Sequence, residues 1–176
     1  MTTTYLLKLL IIADKNVGRS TLLTETLKDI ENFGVDMSNT VGVDFHTKKI
    51  NVEEGTVAFQ IWKVANGILF KKHPRTYIIG SDVAILMFDL TNLNSLAYLD
   101  DFPPMIRQYA GEIPILLVGN KSDLTEERTI SKEQGNNFSK INNMLDYIEI
   151  SAKTGLNCEW IFKVLAKYRI TQLLER

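Results

Sequence analysis

Short apolar runs recur along the chain at Tyr5–Ala13, Val57–Val64, Val83–Leu90, Ile115–Gly119 and Tyr147–Ile150. Their lengths suit strands buried on both faces. Helical spacing lies between most of them. Leu22, Leu23, Leu27 and Ile30 fall on one helical face after the first run, and Ile161, Val164, Leu165 and Tyr168 do so near the end. Ser131 with Gln134 makes a capping box for the helix before the final strand, and Asn157 is positioned to cap the last helix. Val43–Val52 and Val57–Val64 flank Glu53-Glu54-Gly55-Thr56, which reads as a hairpin and adds one antiparallel strand. Pro103-Pro104 interrupts the segment Ser95–Tyr109 and predicts a break near Phe102, while Pro74 limits any helix around it. The alternation of β and α predicts an α/β fold: a doubly wound, mostly parallel six-stranded sheet with ligands beyond the carboxyl ends of its strands.

With 176 residues, 45% of them hydrophobic, the chain can bury one sizeable core, and no Gly/Ser/Pro-rich linker divides it. One domain over residues 1–176 is expected. A formal net charge of −1 leaves no basic footprint for nucleic acid or an anionic membrane. Cys158 is the sole cysteine, which excludes an intrachain disulfide and a cysteine-based zinc site, and a packed, reduced thiol is expected. The run from Tyr5 to Ala13 is broken by Lys8 and falls short of the ~20 residues that span a bilayer. No signal peptide, transmembrane helix or prenylation cysteine is evident in the sequence. The expectation is a cytoplasmic protein, peripheral to membranes only through a partner or a further C-terminal tail.

Chemistry enters at Asn120-Lys121-Ser122-Asp123, which follows directly on Ile115–Gly119. A carboxylate at a strand's carboxyl edge accepts two parallel hydrogen bonds from the ring N–H and exocyclic amine of guanine, whereas adenine presents the wrong donors. Asp123 is therefore a base-reading candidate, with discrimination of roughly 10⁴ because the mismatched base leaves a desolvated carboxylate unpaired. At the other end, Ala13-Asp14-Lys15-Asn16-Val17-Gly18-Arg19-Ser20-Thr21 joins the first strand to the first helix, where free amides and the helix dipole favour phosphate. The position suits a P-loop, although Ala13 stands at the first glycine of that motif and Arg19 at its lysine. Backbone donors from Asn16, Val17, Gly18, Arg19, Ser20 and Thr21 do not depend on side-chain identity. Arg19 either grips phosphate oxygens with its planar fork or swings outward. Ser20 is a candidate Mg²⁺ ligand, and equally a good first-turn residue.

Together with Thr40-Val41-Gly42-Val43-Asp44-Phe45, Trp62 and Ser151-Ala152-Lys153, these motifs resemble a Ras-superfamily small GTPase of the Rab type over nearly the whole chain. The resemblance implies a P-loop G domain that binds GTP or GDP. It implies that Phe33 stacks near the guanine, that Thr40 touches Mg²⁺ and the terminal phosphate, and that Ser151, Ala152 and Lys153 support the base. Lys121 is expected to flank it. Phe45, Trp62 and Tyr77 match the aromatic triad of an effector-facing surface, or else pack as core aromatics at strand ends.

Trp62-Lys63-Val64-Ala65-Asn66-Gly67 departs from the family pattern Trp-Asp-Thr-Ala-Gly-Gln. Lys63 stands where an aspartate supports the Mg²⁺ shell, Asn66 where a glycine amide meets the terminal phosphate, and Gly67 where a glutamine orients water. The spacing from Trp62 to Tyr77 fits without an insertion, which favours this register over a one-residue slip. Phosphoryl transfer demands positioning, and losing one well-aimed polar group costs roughly 10²–10³ in rate. No catalytic residue is assigned, and hydrolysis is expected to be very slow or absent. Lys15 adds bulk where an incoming arginine finger would need room. Lys63 is expected either to act as a tethered cation near the phosphates, weakening Mg²⁺ dependence, or to turn into solvent. The run Lys71, Lys72, His73 and Arg75 reads as a solvated loop or an acidic-partner contact, and His46 has no acid or metal partner to support His-based catalysis. Three functions stay open: a nucleotide-binding interaction module with little turnover, an active GTP-hydrolysing switch, and a nucleotide-free scaffold.

Overall fold

A computed structural model of the chain describes residues 3–27, 43–64, 70 and 72–175. Ile30, Phe33, Thr40, Val41, Gly42, Ala65, Asn66, Gly67 and Lys71 lie outside the described residues. Six strands, β1 (Thr4–Ala13), β2 (Val43–Val52), β3 (Gly55–Val64), β4 (Val83–Asp89), β5 (Ile115–Asn120) and β6 (Asp146–Glu149), form one sheet in the order β2-β3-β1-β4-β5-β6. Only β2 runs antiparallel to its neighbour, so the sheet is the mostly parallel α/β arrangement that the alternation predicts.

Side-chain alternation divides β1 between two cores. Leu7, Leu9 and Ile11 face the layer with Leu22 and Leu23 of α1 (Arg19–Thr26), while Leu10 and Ile12 face the opposite layer. That second layer holds α2 (Pro74–Ile78), α3 (Leu93–Ala97), α4 (Phe102–Ala110) and α5 (Lys132–Ile141). The last helix, α6 (Cys158–Leu174), covers the first face with Ile161, Phe162, Leu165, Ala166 and Ile170. Every residue of β4 and β5 is buried, as parallel strands covered on both faces must be. A Leu or Ile sealed this way contributes about 1.5–3 kcal/mol relative to exposure.

The break near Phe102 is present: α3 ends at Ala97, and α4 starts at Phe102 with the prolines in its first turn, where their missing N–H groups cost nothing. Pro74 likewise opens α2 and limits the helix there to Pro74–Ile78. The capping box of Ser131 and Gln134 is complete in both directions. Asn157 does not cap α6 with its side chain. It sits at the cap position with φ of 59°, and its Nδ2 donates to the Glu149 carbonyl at 2.8 Å, which ties the helix start to the end of β6. Tyr168 is 42% exposed, so the buried stripe of α6 runs through Phe162 and Arg169 instead. The hairpin turn is two residues, Glu53-Glu54, and β3 already begins at Gly55.

The sheet order reverses around β1, which pairs with β3 on one side and β4 on the other. A crevice opens beyond its carboxyl end, where ligands of such sheets bind. Among the described residues no helix is long and apolar enough to cross a membrane.

Candidate functional site

The turn from β1 into α1 uses two residues in the left-handed region, Asn16 at φ 59° and Gly18 at φ 100°. This winding lines a cleft of ≈ 670 Å³ with Asp14 to Thr21, together with Asp44 and Lys63 from the hairpin. Alternating backbone hands of this kind turn amides toward an anion, and α1 carries no acidic residue in its first turn to neutralise the helix end. The expected phosphate donors Asn16, Val17, Gly18, Arg19, Ser20 and Thr21 are thus brought to one wall. Asp14 works against it locally, because its Oδ1 accepts the Lys15 N–H at 2.7 Å.

Asn120 joins this wall to the opposite end of the site. It ends β5, is 2% exposed, donates from Nδ2 to the Val17 carbonyl at 2.8 Å and accepts the Ala152 N–H at 2.9 Å. Gly18 must lack a side chain here, since a Cβ would lie 2.4 Å from Asn120 Nδ2. Past Asn120 the chain turns left-handed at Lys121, with φ of 68°, and presents Asp123 beside the Ser151–Lys153 segment. Ser151 donates its hydroxyl to Asp123 Oδ1 at 2.6 Å and also accepts the Thr154 N–H at 3.1 Å. One carboxylate has about four lone-pair sites, so this bond orients Asp123 and leaves acceptors for a base edge. Ser151 and Ala152 are buried, whereas Lys153 is exposed. Cys158 is buried as expected and its Sγ donates to the Ser151 carbonyl at 3.4 Å, backing the same loop.

Lys121 is not free over the base position. Its ammonium is 2.5 Å from Asp89 Oδ2 at the end of β4, and Asp89 Oδ1 is held by Thr91. Arg19 does not swing outward: its guanidinium turns inward and donates to the Val64 carbonyl, with a longer contact to the Ile11 carbonyl at 3.4 Å. Burial pulls its pKa down, with Tyr98 and Asp44 opposing, and a guanidinium stays charged regardless. The guanidinium is thus held between β1 and the end of β3.

Lys63 does not turn into solvent. Its side chain is 18% exposed, its ammonium pairs with Asp44, and it donates to Ser20 Oγ at 3.3 Å. Hairpin register puts Asp44 directly opposite Lys63. A hexacoordinate Mg²⁺ fits poorly here. Bound at ~2.1 Å from Ser20 Oγ, it would meet the ammonium with repulsion on the order of 5 kcal/mol before phosphate and Asp44 offset it. Among the described residues no three His, Cys, Asp or Glu side chains gather to hold a metal ion.

Of the aromatic triad, Phe45 and Trp62 meet edge-to-face at 4.6 Å, and Phe45 is 36% exposed. Tyr77 packs on Phe70 at 5.6 Å instead. Lys8 links the two groups: its ammonium lies 3.9 Å from the Trp62 ring centre and donates to the carbonyls of Tyr77 and Ile79, each at 2.8 Å. Lys72, His73 and Arg75 are exposed. Among the described residues His46 Nε2 is buried without a hydrogen-bond partner, and burial and Lys63 lower its pKa, with Asp44 opposing.

Sequence reasoning missed Asp89 and Asp44, the two carboxylates that fix Lys121 and Lys63. An acid ending a fully apolar strand was a usable signal for the first, and hairpin register for the second. Phosphate wall, base-end loop and connecting Asn120 all fall within residues 8–171, the span over which the chain matches the sequence model of the Ras family. The chain belongs to the Ras family of small GTP-binding proteins.

Proposed function

We propose that the protein is a Rab-like guanine-nucleotide module that holds GTP or GDP through its phosphate loop and Asp123, turns GTP over very slowly or not at all, and acts through nucleotide-dependent binding of a protein effector. The observation that carries this reading is the Ser151–Asp123 bond at 2.6 Å, which aims a carboxylate at the base end while Asn120 fastens that end to the phosphate loop. Asn16 to Thr21 hold the phosphates. Asn120, Lys121, Asp123, Ser151, Ala152 and Lys153 form the base end, and by family resemblance Phe33 is the proposed contact to the guanine and Thr40 to the terminal phosphate and Mg²⁺. Slow turnover follows from Gly67, which has no side chain to orient water, and from Lys63 beside Ser20. The exposed edge of the Phe45–Trp62 pair supports the effector surface.

A nucleotide-free scaffold is the second reading. It is favoured by the inward turn of Arg19 and the capture of the Lys15 N–H by Asp14. Denaturing freshly purified protein and identifying the released nucleotide by chromatography separates the two. GTP supports the proposal, and single-turnover assay then shows negligible phosphate release. Protein that is empty and also fails to bind added nucleotide supports the scaffold.

A further inference from the structure

Lys63 has a long, flexible stem that reaches solvent readily, yet its ammonium is turned into the phosphate cleft and is fixed there from two elements. Ser20 of α1 accepts from it at 3.3 Å, and Asp44, its register partner on β2, pairs with it. Ser20 is the hydroxyl at the start of α1 that lines the cleft, and it is already engaged by a cation. The neighbouring cation, Arg19, is committed to the strand-end carbonyls of Val64 and Ile11. Two carboxylates, Asp14 and Asp44, line the same cleft and oppose an anion.

We propose that the Lys63 ammonium is a built-in counter-cation for the nucleotide's phosphate oxygens, so that this member of the family binds guanine nucleotide without a divalent metal. The inference rests on the guanine-nucleotide reading above. An ammonium has three donors; Ser20 and Asp44 take two, and the third serves phosphate. Asp44 is 54% exposed, so solvent screens its charge and it opposes a multiply charged phosphate only modestly. Without ligand, Asp44 keeps the lysine in the cleft and out of solvent. A divalent ion at Ser20 meets a fixed positive charge and adds little.

The test is the affinity of the full chain for a fluorescent GDP analogue, with Mg²⁺ and with excess chelator, for the wild type and for Lys63→Met, which keeps the stem and removes the charge. Wild-type affinity changes less than about tenfold on chelation, and Lys63→Met binds at least about tenfold more weakly than wild type in chelator while melting as the wild type does. A wild-type loss of about tenfold or more on chelation overturns this inference alone, as does Lys63→Met that matches wild type in chelator. Wild type that binds guanine nucleotide in neither buffer overturns the guanine reading, and this inference with it.

Discussion

Asn120 reaches across 103 positions of sequence to donate its side-chain amide to the Val17 carbonyl at 2.8 Å, which makes one buried side chain the tie between phosphate loop and base loop. Asn120→Ala removes that tie and leaves the Val17 carbonyl and Ala152 N–H unpaired. The expected cost is about 3 kcal/mol of stability together with loss of nucleotide binding, read by chemical denaturation and by titration. Gly18→Ala attacks the same contact from the other side, because its Cβ would sit 2.4 Å from Asn120 Nδ2 on a backbone at φ +100°. Unchanged stability in both variants would show that the tie carries no load.

Gly135 of α5 lies against Tyr147, where a Cβ would stand 2.3 Å from the ring carbon Cζ. Tyr147 is in turn held by Glu149, which accepts its hydroxyl at 2.8 Å and is clasped by Arg128 through both of its oxygens. The ring cannot move aside without breaking that cluster. Gly135→Ala therefore costs about 1–3 kcal/mol, measured as a lowered denaturation midpoint at unchanged slope.

Burial pushes the Cys158 thiol up to about 11, with smaller contributions from Glu25 and Glu159. An unfolded thiol ionises near ~8.5, so between these values the folded state holds a proton that the unfolded state has released. The stability this provides is complete below the unfolded value and is lost as pH rises toward the folded one. A disulfide reagent at mildly alkaline pH should leave native protein unmodified and react stoichiometrically once denaturant is added. Rapid modification of native protein would contradict the buried placement behind Ser151.

Much of this fold is legible in periodicity, because strands such as Val83–Asp89, buried along their whole length, write an apolar run that only a closing acid ends. Side-chain destinations are less so. Asn157 has a capping residue's chemistry, but the chain arrives there left-handed after Gly155, and its amide finds the Glu149 carbonyl instead. Arg19 reads as a phosphate ligand from its motif position, and only the convergence of β1 and β3 supplies the carbonyls that draw it inward. The Asp44–Lys63 pair depends on whether the hairpin turn has two residues or four. A two-residue turn places these charges opposite each other, and a longer one shifts every cross-strand pair. The strand that leads to Asp123 was legible because its signal lies in neighbours along the chain, an apolar run that continues straight into the tetrapeptide.

The most direct test of the account is calorimetric titration of the purified, nucleotide-stripped protein with GTP and with ATP, repeated on Asp123→Ala. GTP should bind the wild type at least roughly 10³ more tightly than ATP, and Asp123→Ala should lose that preference. Equal binding of both nucleotides to the wild type, or of neither, would contradict it.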